Sequence, residues 1–170
     1  MITSIGGISR SGKSFLAEKL KELLEKEGNT VKVLDQDDYV YPEEDIPLVR
    51  DHIDWEGPES IDWGRFIEAI SEAEEMFDHV IVEGLMTFWN PSLRSLFNKC
   101  IFIKLSQEEF MHRKQNDLRW GKEPAWYVEH IWDSYVKYGQ IPDGMDIDLV
   151  LDGERMFDIE MIFRGIFDVS

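Results

Sequence analysis

The residues best suited to chemistry lie near the start of the chain, in Gly7-Ile8-Ser9-Arg10-Ser11-Gly12-Lys13-Ser14. This segment matches the phosphate-loop pattern G-x-x-x-x-G-K-[ST] at every fixed position. In such loops backbone N–H groups converge on phosphate oxygens, the lysine reaches the β- and γ-phosphates, and the hydroxyl ligates Mg²⁺. The sequence therefore predicts an ATP site formed by Gly7, Ser9, Arg10, Ser11, Gly12, Lys13, Ser14 and Phe15.

Carboxylates follow two of the predicted strands. The segment Asp35-Gln36-Asp37-Asp38-Tyr39 comes after the second strand, and Glu83 ends the apolar run 79–84. Open α/β sheets bind ligands at the carboxyl ends of their strands. Glu83 is therefore placed to hold the water shell of a metal or the acceptor, and Ser14, Asp37 and Glu83 are the candidate magnesium ligands. Asp37 is a candidate base for an acceptor hydroxyl, although spacing alone does not choose between it and Asp38.

A later helix carries several candidate cations, and it begins after Ser106 with a start resembling a capping box. Arg113, Lys114 and Arg119 lie on it or near its end, and they are placed to close over a transferring phosphoryl group. We predict a small lid at about 113–124. The irregular, proline-containing segment 40–60 is long enough to suggest a functional loop.

The elements that position these residues follow from hydrophobic periodicity. A β-prone run precedes the phosphate loop, and apolar residues at helical spacing follow it. Strand patterns at 1–5, 31–35, 79–84, 100–105 and 147–151 alternate with helical patterns, including 60–76, 125–138 and 155–167. Ser60 is expected to cap the helix over 60–76. The alternation predicts one phosphate-loop NTPase domain over 1–170, an α/β fold with three α/β/α layers and a five-stranded parallel sheet.

Composition limits the class of partner. The 170 residues include 18 basic and 35 acidic side chains, a net charge of −17. This charge disfavours nucleic acids and anionic membranes. A single cysteine, Cys100, excludes a disulfide or a cysteine-based zinc site within one chain. No apolar run is long enough to cross a bilayer, and we expect a cytoplasmic protein.

The motifs together resemble the uridine kinase superfamily of phosphate-loop kinases, and within it the nicotinamide riboside kinase branch. The resemblance runs nearly from end to end, with order and spacing in agreement. It rests on Gly6 to Ser14, Asp35-Gln36-Asp37-Asp38-Tyr39, Asp54-Trp55-Glu56-Gly57-Pro58-Glu59-Ser60, Ile81-Val82-Glu83-Gly84-Leu85, Trp126-Tyr127-Val128-Glu129-His130-Ile131-Trp132 and Leu151-Asp152-Gly153.

The resemblance implies an ATP- and Mg²⁺-dependent kinase that phosphorylates the 5′-hydroxyl of a ribonucleoside, nicotinamide riboside-like or uridine-like, to its monophosphate. It implies that Asp37 is the base and that Glu83 is the acid near metal and acceptor. A basic residue, Lys114 or Arg113, would reach the acceptor from the lid. The expected partners are the nucleoside and ATP, and the expected assembly is a monomer or homodimer.

The resemblance also implies an acceptor pocket. Glu56 matches the carboxylate that grips the ribose hydroxyls, where the family usually has aspartate, so its arm is longer by one methylene. Trp55 and Trp126 match aromatic residues near the acceptor base, and Tyr39 ends the matching acidic segment.

Two alternatives stay open from the sequence. Another small-molecule kinase on this scaffold could phosphorylate a nucleotide or a cofactor precursor, although only Arg50 is basic between residues 36 and 60. A non-catalytic nucleotide-sensing protein could keep the phosphate loop, although Asp37 and Glu83 weigh against it.

Overall fold

The computed structural model describes residues 1–117 and 123–167 of the chain. Its main sheet has five strands in the order β2-β5-β1-β6-β7, and every neighbouring pair is parallel. The predicted five-stranded parallel sheet is therefore confirmed. In chain order, the described residues form strands β1 (Ile2–Gly7), β2 (Val31–Asp35), β3 (Leu48–Val49), β4 (His52–Ile53), β5 (His79–Gly84), β6 (Lys99–Lys104) and β7 (Leu149–Asp152).

Helices cover both faces of this sheet. Those within the described residues are α1 (Lys13–Lys26), α2 (Trp63–Met76), α3 (Pro91–Arg94), α4 (Gln107–Gln115), α5 (Ala125–Tyr138) and α6 (Ile159–Phe167). Alternate residues of β5 point to opposite faces: Ile81 packs with α1 and α6, whereas Val80 and Val82 pack with α2. A third cluster joins β6 to α4 and α5. The predicted three-layer α/β/α fold is thus confirmed.

The strand register places the predicted chemistry at one edge. Asp35 at the end of β2 is paired with Glu83 near the end of β5, and Gly6 of β1 is paired with Gly84. The carboxyl ends of these neighbouring strands therefore meet where the phosphate loop begins, as expected for a ligand site in an open α/β sheet.

The predicted helix start at Ser60 is wrong. Helix α2 begins at Trp63, and the Asp62 side chain caps it by accepting a hydrogen bond from the Arg65 backbone N–H. Ser60 is buried instead, and its hydroxyl is 2.9 Å from the Trp55 carbonyl and 2.7 Å from the Gly57 carbonyl. Serine and aspartate are equally good N-cap residues, so residue type alone could not distinguish Ser60 from Asp62 as the cap.

The segment 40–60 is less irregular than expected. Strands β3 and β4 form an antiparallel hairpin within it, with Leu48 opposite Ile53. Short 3₁₀ turns at Glu43–Asp45 and Pro58–Ser60 flank this hairpin. Across the described residues, no helix is both long and apolar enough to span a membrane.

Candidate active site

The phosphate loop connects β1 to α1 through unusual backbone conformations. Gly7 has φ 150° and Gly12, just before α1, has φ 104°. A Cβ on Gly7 would lie 2.7 Å from the Ile103 carbonyl oxygen, so only glycine fits there. The Lys13 Nζ donates to the Ile8 carbonyl at 3.1 Å, which holds the charge over its own loop. Within the loop, Ser11 is buried and Ser9 is half-buried.

Ser14 and Glu83 meet at the start of α1. The Ser14 hydroxyl donates to Glu83 Oε2 at 3.0 Å, and Glu83 is 3% exposed. Burial raises the pKa of Glu83 to about 7, and the nearby Lys13 charge opposes that rise. A carboxyl group with this pKa is partly ionised at neutral pH, and a nearby cation would favour its ionised form.

The donor set suits Mg²⁺ rather than a metal held by protein alone. Within the described ranges, no group of three or more His, Cys, Asp or Glu side chains could hold a metal ion. Magnesium in phosphoryl-transfer sites is typically held by one or two protein oxygens plus waters and substrate phosphates. A hydroxyl beside a buried carboxylate therefore fits it.

In the acidic segment after β2, Gln36 is buried and Asp37 is exposed. Asp35 caps the 3₁₀ turn Gln36–Tyr39 by accepting the Asp37 N–H at 3.0 Å. Gln36 is buried and accepts the Met86 N–H at 2.9 Å, which ties the end of β2 to the loop after β5. Asp37 is exposed on the other side of the turn.

The charges of Asp37 and Asp38 affect different groups. The Asp37 carboxylate contributes to the raised pKa values of both Glu56 and Glu83. The Asp38 backbone carbonyl instead accepts a hydrogen bond from Arg65. Burial, and then the charge of the Asp38 carboxylate, raise the pKa of the Tyr39 hydroxyl. Of the two, Asp37 is the carboxylate whose charge acts on both Glu83 and Glu56.

The Asp37 charge also acts on Glu56, the residue predicted to line the acceptor pocket. Burial, and then the Asp37 charge, raise the pKa of Glu56 to about 8, while Lys114 opposes the rise. Lys114 is buried on α4 and pairs with Glu123, with 2.9 Å between Nζ and Oε2. Carboxylates outnumber cations here, so the pocket favours groups that donate hydrogen bonds.

Arg113 and Lys114, which the resemblance left interchangeable, have different positions. Arg113 donates from Nη1 to the Arg10 carbonyl at 3.0 Å and from Nη2 to the Gly153 carbonyl at 2.9 Å. It therefore braces the phosphate loop, whereas Lys114 faces the carboxylates near Glu56. The Arg10 side chain lies 3.7 Å from Asp117. Arg119 and the rest of residues 118–122 in the predicted lid lie outside the described residues.

The aromatic residues predicted at the site differ in how far each ring is exposed or packed against other side chains. The Trp126 ring is half-buried, and the Arg50 guanidinium lies 4.4 Å above its centroid. Trp55 is half-buried beside Glu56 in the chain. The Tyr39 ring stacks on Phe66 of α2, with 4.7 Å between centroids, so its ring is largely committed to packing. Phe15 is 55% exposed on α1.

Two supporting contacts of the site were not predicted from the sequence motifs. A Cβ on Gly84 would lie 2.5 Å from the Gln36 Cβ, so Gln36 and Gly84 fit only as a pair. Gly153 packs against the phosphate loop, where a Cβ would lie 3.0 Å from the Ser11 carbonyl oxygen. Both contacts join segments distant in sequence, and periodicity within either segment could not reveal them.

The parallel sheet, the phosphate loop and the acids at its edge define the phosphate-loop fold used by small-molecule kinases. No protein-family profile matches the chain. The chain is 26% identical to human nicotinamide riboside kinase 1 over 172 residues, which cover 91% of this chain and 84% of that protein.

Further similarity points the same way. The chain is 26% identical to a uridine kinase from Mycoplasma pneumoniae, over 74% of this chain and 70% of that protein. The solved structure of a possible uridine kinase from Bacillus stearothermophilus superposes with a TM-score of 0.59 at 18% identity, covering 89% of this chain and 88% of that one. The resemblance inferred from the motifs is thereby confirmed.

Proposed function

We propose that this protein is a nucleoside kinase that transfers the γ-phosphoryl group of ATP to the 5′-hydroxyl of a ribonucleoside. Nicotinamide riboside-like and uridine-like compounds are the proposed acceptors, because the relatives that align over most of the chain carry those names. With nicotinamide riboside the product would be its mononucleotide, a precursor of NAD. We place the reaction in the cytoplasm, where ATP is supplied.

One observation carries the proposal. The Asp37 charge contributes to the raised pKa values of both Glu83, beside the phosphate loop, and Glu56, in the proposed acceptor pocket, which supports a position for Asp37 near the two. A phosphate loop alone is shared by switches, motors and kinases. A carboxylate between that loop and a second polar pocket is what transfer between two substrates requires.

The proposed chemistry assigns a task to each side chain. The loop amides and Lys13 bind the donor phosphates, and Glu56 accepts hydrogen bonds from ribose hydroxyls. As the 5′-oxygen bonds to the γ-phosphorus, the bond from that phosphorus to the bridging β,γ-oxygen breaks, and ADP leaves. Asp37 takes the proton from the 5′-hydroxyl, which becomes more acidic as the new bond forms.

Two further groups act on charge. Lys114 stabilises negative charge on the transferring group from the α4 side. Ser14 and Glu83 are the residues that would hold Mg²⁺, whose role when bound is to neutralise charge on the phosphates.

The test is a product assay. The protein is incubated with Mg-ATP and nicotinamide riboside, uridine or cytidine, and monophosphates are detected by mass spectrometry. Asp37→Asn should lower turnover by about 10²–10⁴-fold, and Lys13→Ala should abolish it, with unchanged melting temperatures. Asp38→Asn is the matched control and should keep activity.

The outcomes separate the candidate functions. Turnover on a nucleotide or a non-nucleoside alcohol would favour a different small-molecule kinase on this fold. ATP binding without any product would favour a nucleotide sensor. Full activity in Asp37→Asn would refute the base assignment.

A further inference from the structure

Asp54 connects three parts of the acceptor side. Its Oδ1 accepts the backbone N–H of Glu56 at 3.2 Å, and the same oxygen lies 2.7 Å from His130 Nε2 on α5. The Asp54 backbone N–H donates to the Pro47 carbonyl at 2.8 Å, before the β3–β4 hairpin. The Asp54 carboxylate therefore ties the Glu56 backbone to a helix 76 residues away in sequence, and the Asp54 backbone N–H ties both to the start of the hairpin.

The neighbouring contacts hold the same segment from both ends. Tyr127, three residues before His130 on α5, donates from its hydroxyl to the Ile53 carbonyl at 3.3 Å. Beyond Glu56, the Ser60 hydroxyl binds the Trp55 and Gly57 carbonyls. Of these contacts, the Asp54 carboxylate is the one that accepts the Glu56 backbone N–H, and His130 binds the same carboxylate oxygen.

The geometry differs from that of an ordinary surface ion pair. Both side chains are 23% exposed, and the histidine ring packs against Tyr127, with 5.7 Å between centroids. An exposed ion pair contributes little because two mobile side chains must be ordered to form it. Here backbone hydrogen bonds already fix Asp54, and packing already orients the imidazole.

We propose that Asp54 and His130 are a positioning pair that holds the Glu56 carboxylate toward the ribose hydroxyls of the acceptor. This inference rests on the proposed kinase function. Neither residue touches the reacting atoms: His130 orients Asp54, Asp54 fixes the Glu56 backbone, and Glu56 meets the acceptor.

Steady-state kinetics of His130→Ala provides the test. Loss of the pair should raise the acceptor KM about tenfold, because a misplaced Glu56 carboxylate binds the acceptor less well. The ATP KM should stay within about twofold of the wild-type value. His130→Gln should restore most of the acceptor KM, since its amide nitrogen can donate from nearly the same position. His112→Ala is the matched control, because His112 is exposed beside a carboxylate on α4.

Equal rises in both KM values, or a lower melting temperature with an unchanged acceptor KM, would overturn the proposal. A structural contact would produce either result. Failure of Gln to rescue the acceptor KM would also count against it.

Hydrogen exchange separates this proposal from the kinase function itself. In His130→Ala, the Glu56 amide should exchange at least about tenfold faster, since Asp54 no longer holds it, and His130→Gln should slow it again. Unchanged exchange would refute the positioning role. Wild-type protein that phosphorylates no nucleoside would refute the kinase function, whatever the exchange rates show.

Discussion

Replacing Glu56 with glutamine is expected to stabilise the folded protein at alkaline pH while weakening acceptor binding. The ordinary glutamate pKa is 4.5, and burial raises that of Glu56 to about 8. The folded state therefore keeps a proton that the unfolded chain releases. Stability falls as pH rises from 4.5 to about 8, and the cost is constant above that value. Glutamine does not ionise and escapes the cost.

The magnitude follows from the size of the rise. One pKa unit corresponds to ~1.4 kcal/mol, so the full rise corresponds to on the order of 5 kcal/mol. Glu56 is partly exposed, and solvent screens its charge, so about half of this, ~2 kcal/mol, should be measurable. For a domain of this size, that difference shifts Tm by about 4–8 °C.

Thermal melts of wild type and Glu56→Gln at about pH 5.5 and about pH 8.5 measure the effect. The Tm advantage of the variant should be several degrees larger at the higher pH. Glu68→Gln is the matched control, because Glu68 is exposed on α2, and its Tm difference from wild type should not change with pH.

The same variant tests function. A Tm advantage that does not depend on pH would refute the account of the Glu56 environment. An acceptor KM equal to that of wild type would refute the ribose contact. A gain in stability combined with a loss of acceptor binding is the pattern expected of a residue that serves a site at a cost to the fold.

Other substitutions probe the supports of the phosphate loop. Gly153→Ala would place a Cβ 2.8 Å from the Lys104 carbonyl oxygen and should cost about 1–3 kcal/mol by denaturant unfolding. Gly165→Ala meets nothing within 4 Å on α6 and should instead gain about 0.5–1 kcal/mol; destabilisation there would contradict the packing described. Arg113→Lys keeps the charge but loses the fork that binds two carbonyls, so the ATP KM should rise by about threefold to tenfold with an unchanged acceptor KM. The reverse selectivity would show that Arg113 serves the acceptor.

Local patterns were sufficient to predict that the proposed donor residues lie at one edge of the sheet. The phosphate loop, Glu83 and Asp37 each sit at the end of a predicted strand, and a parallel sheet brings such ends together at one edge. Their association follows from topology, because the order of strands and helices already fixes which ends are neighbours.

The acceptor half depends on contacts that periodicity does not encode. His130 reaches Asp54 across 76 residues, and Lys114 rather than Arg113 faces Glu56 because of the rotation of α4. Adjacent helical residues point in directions about 100° apart. A shift of one residue in the alignment therefore changes which basic side chain is assigned to the phosphate loop and which to the acceptor pocket. Only the packing of α4 in the structure distinguishes the two.

The most direct test of the central claim follows the γ-phosphoryl group itself. ATP radiolabelled in its γ-phosphate is supplied with the preferred ribonucleoside or with its 5′-deoxy counterpart, and the products are separated. The two-substrate site predicts label in the nucleoside 5′-monophosphate and none with the 5′-deoxy compound. Label released only as inorganic phosphate, or equal labelling of the 5′-deoxy compound, would contradict it.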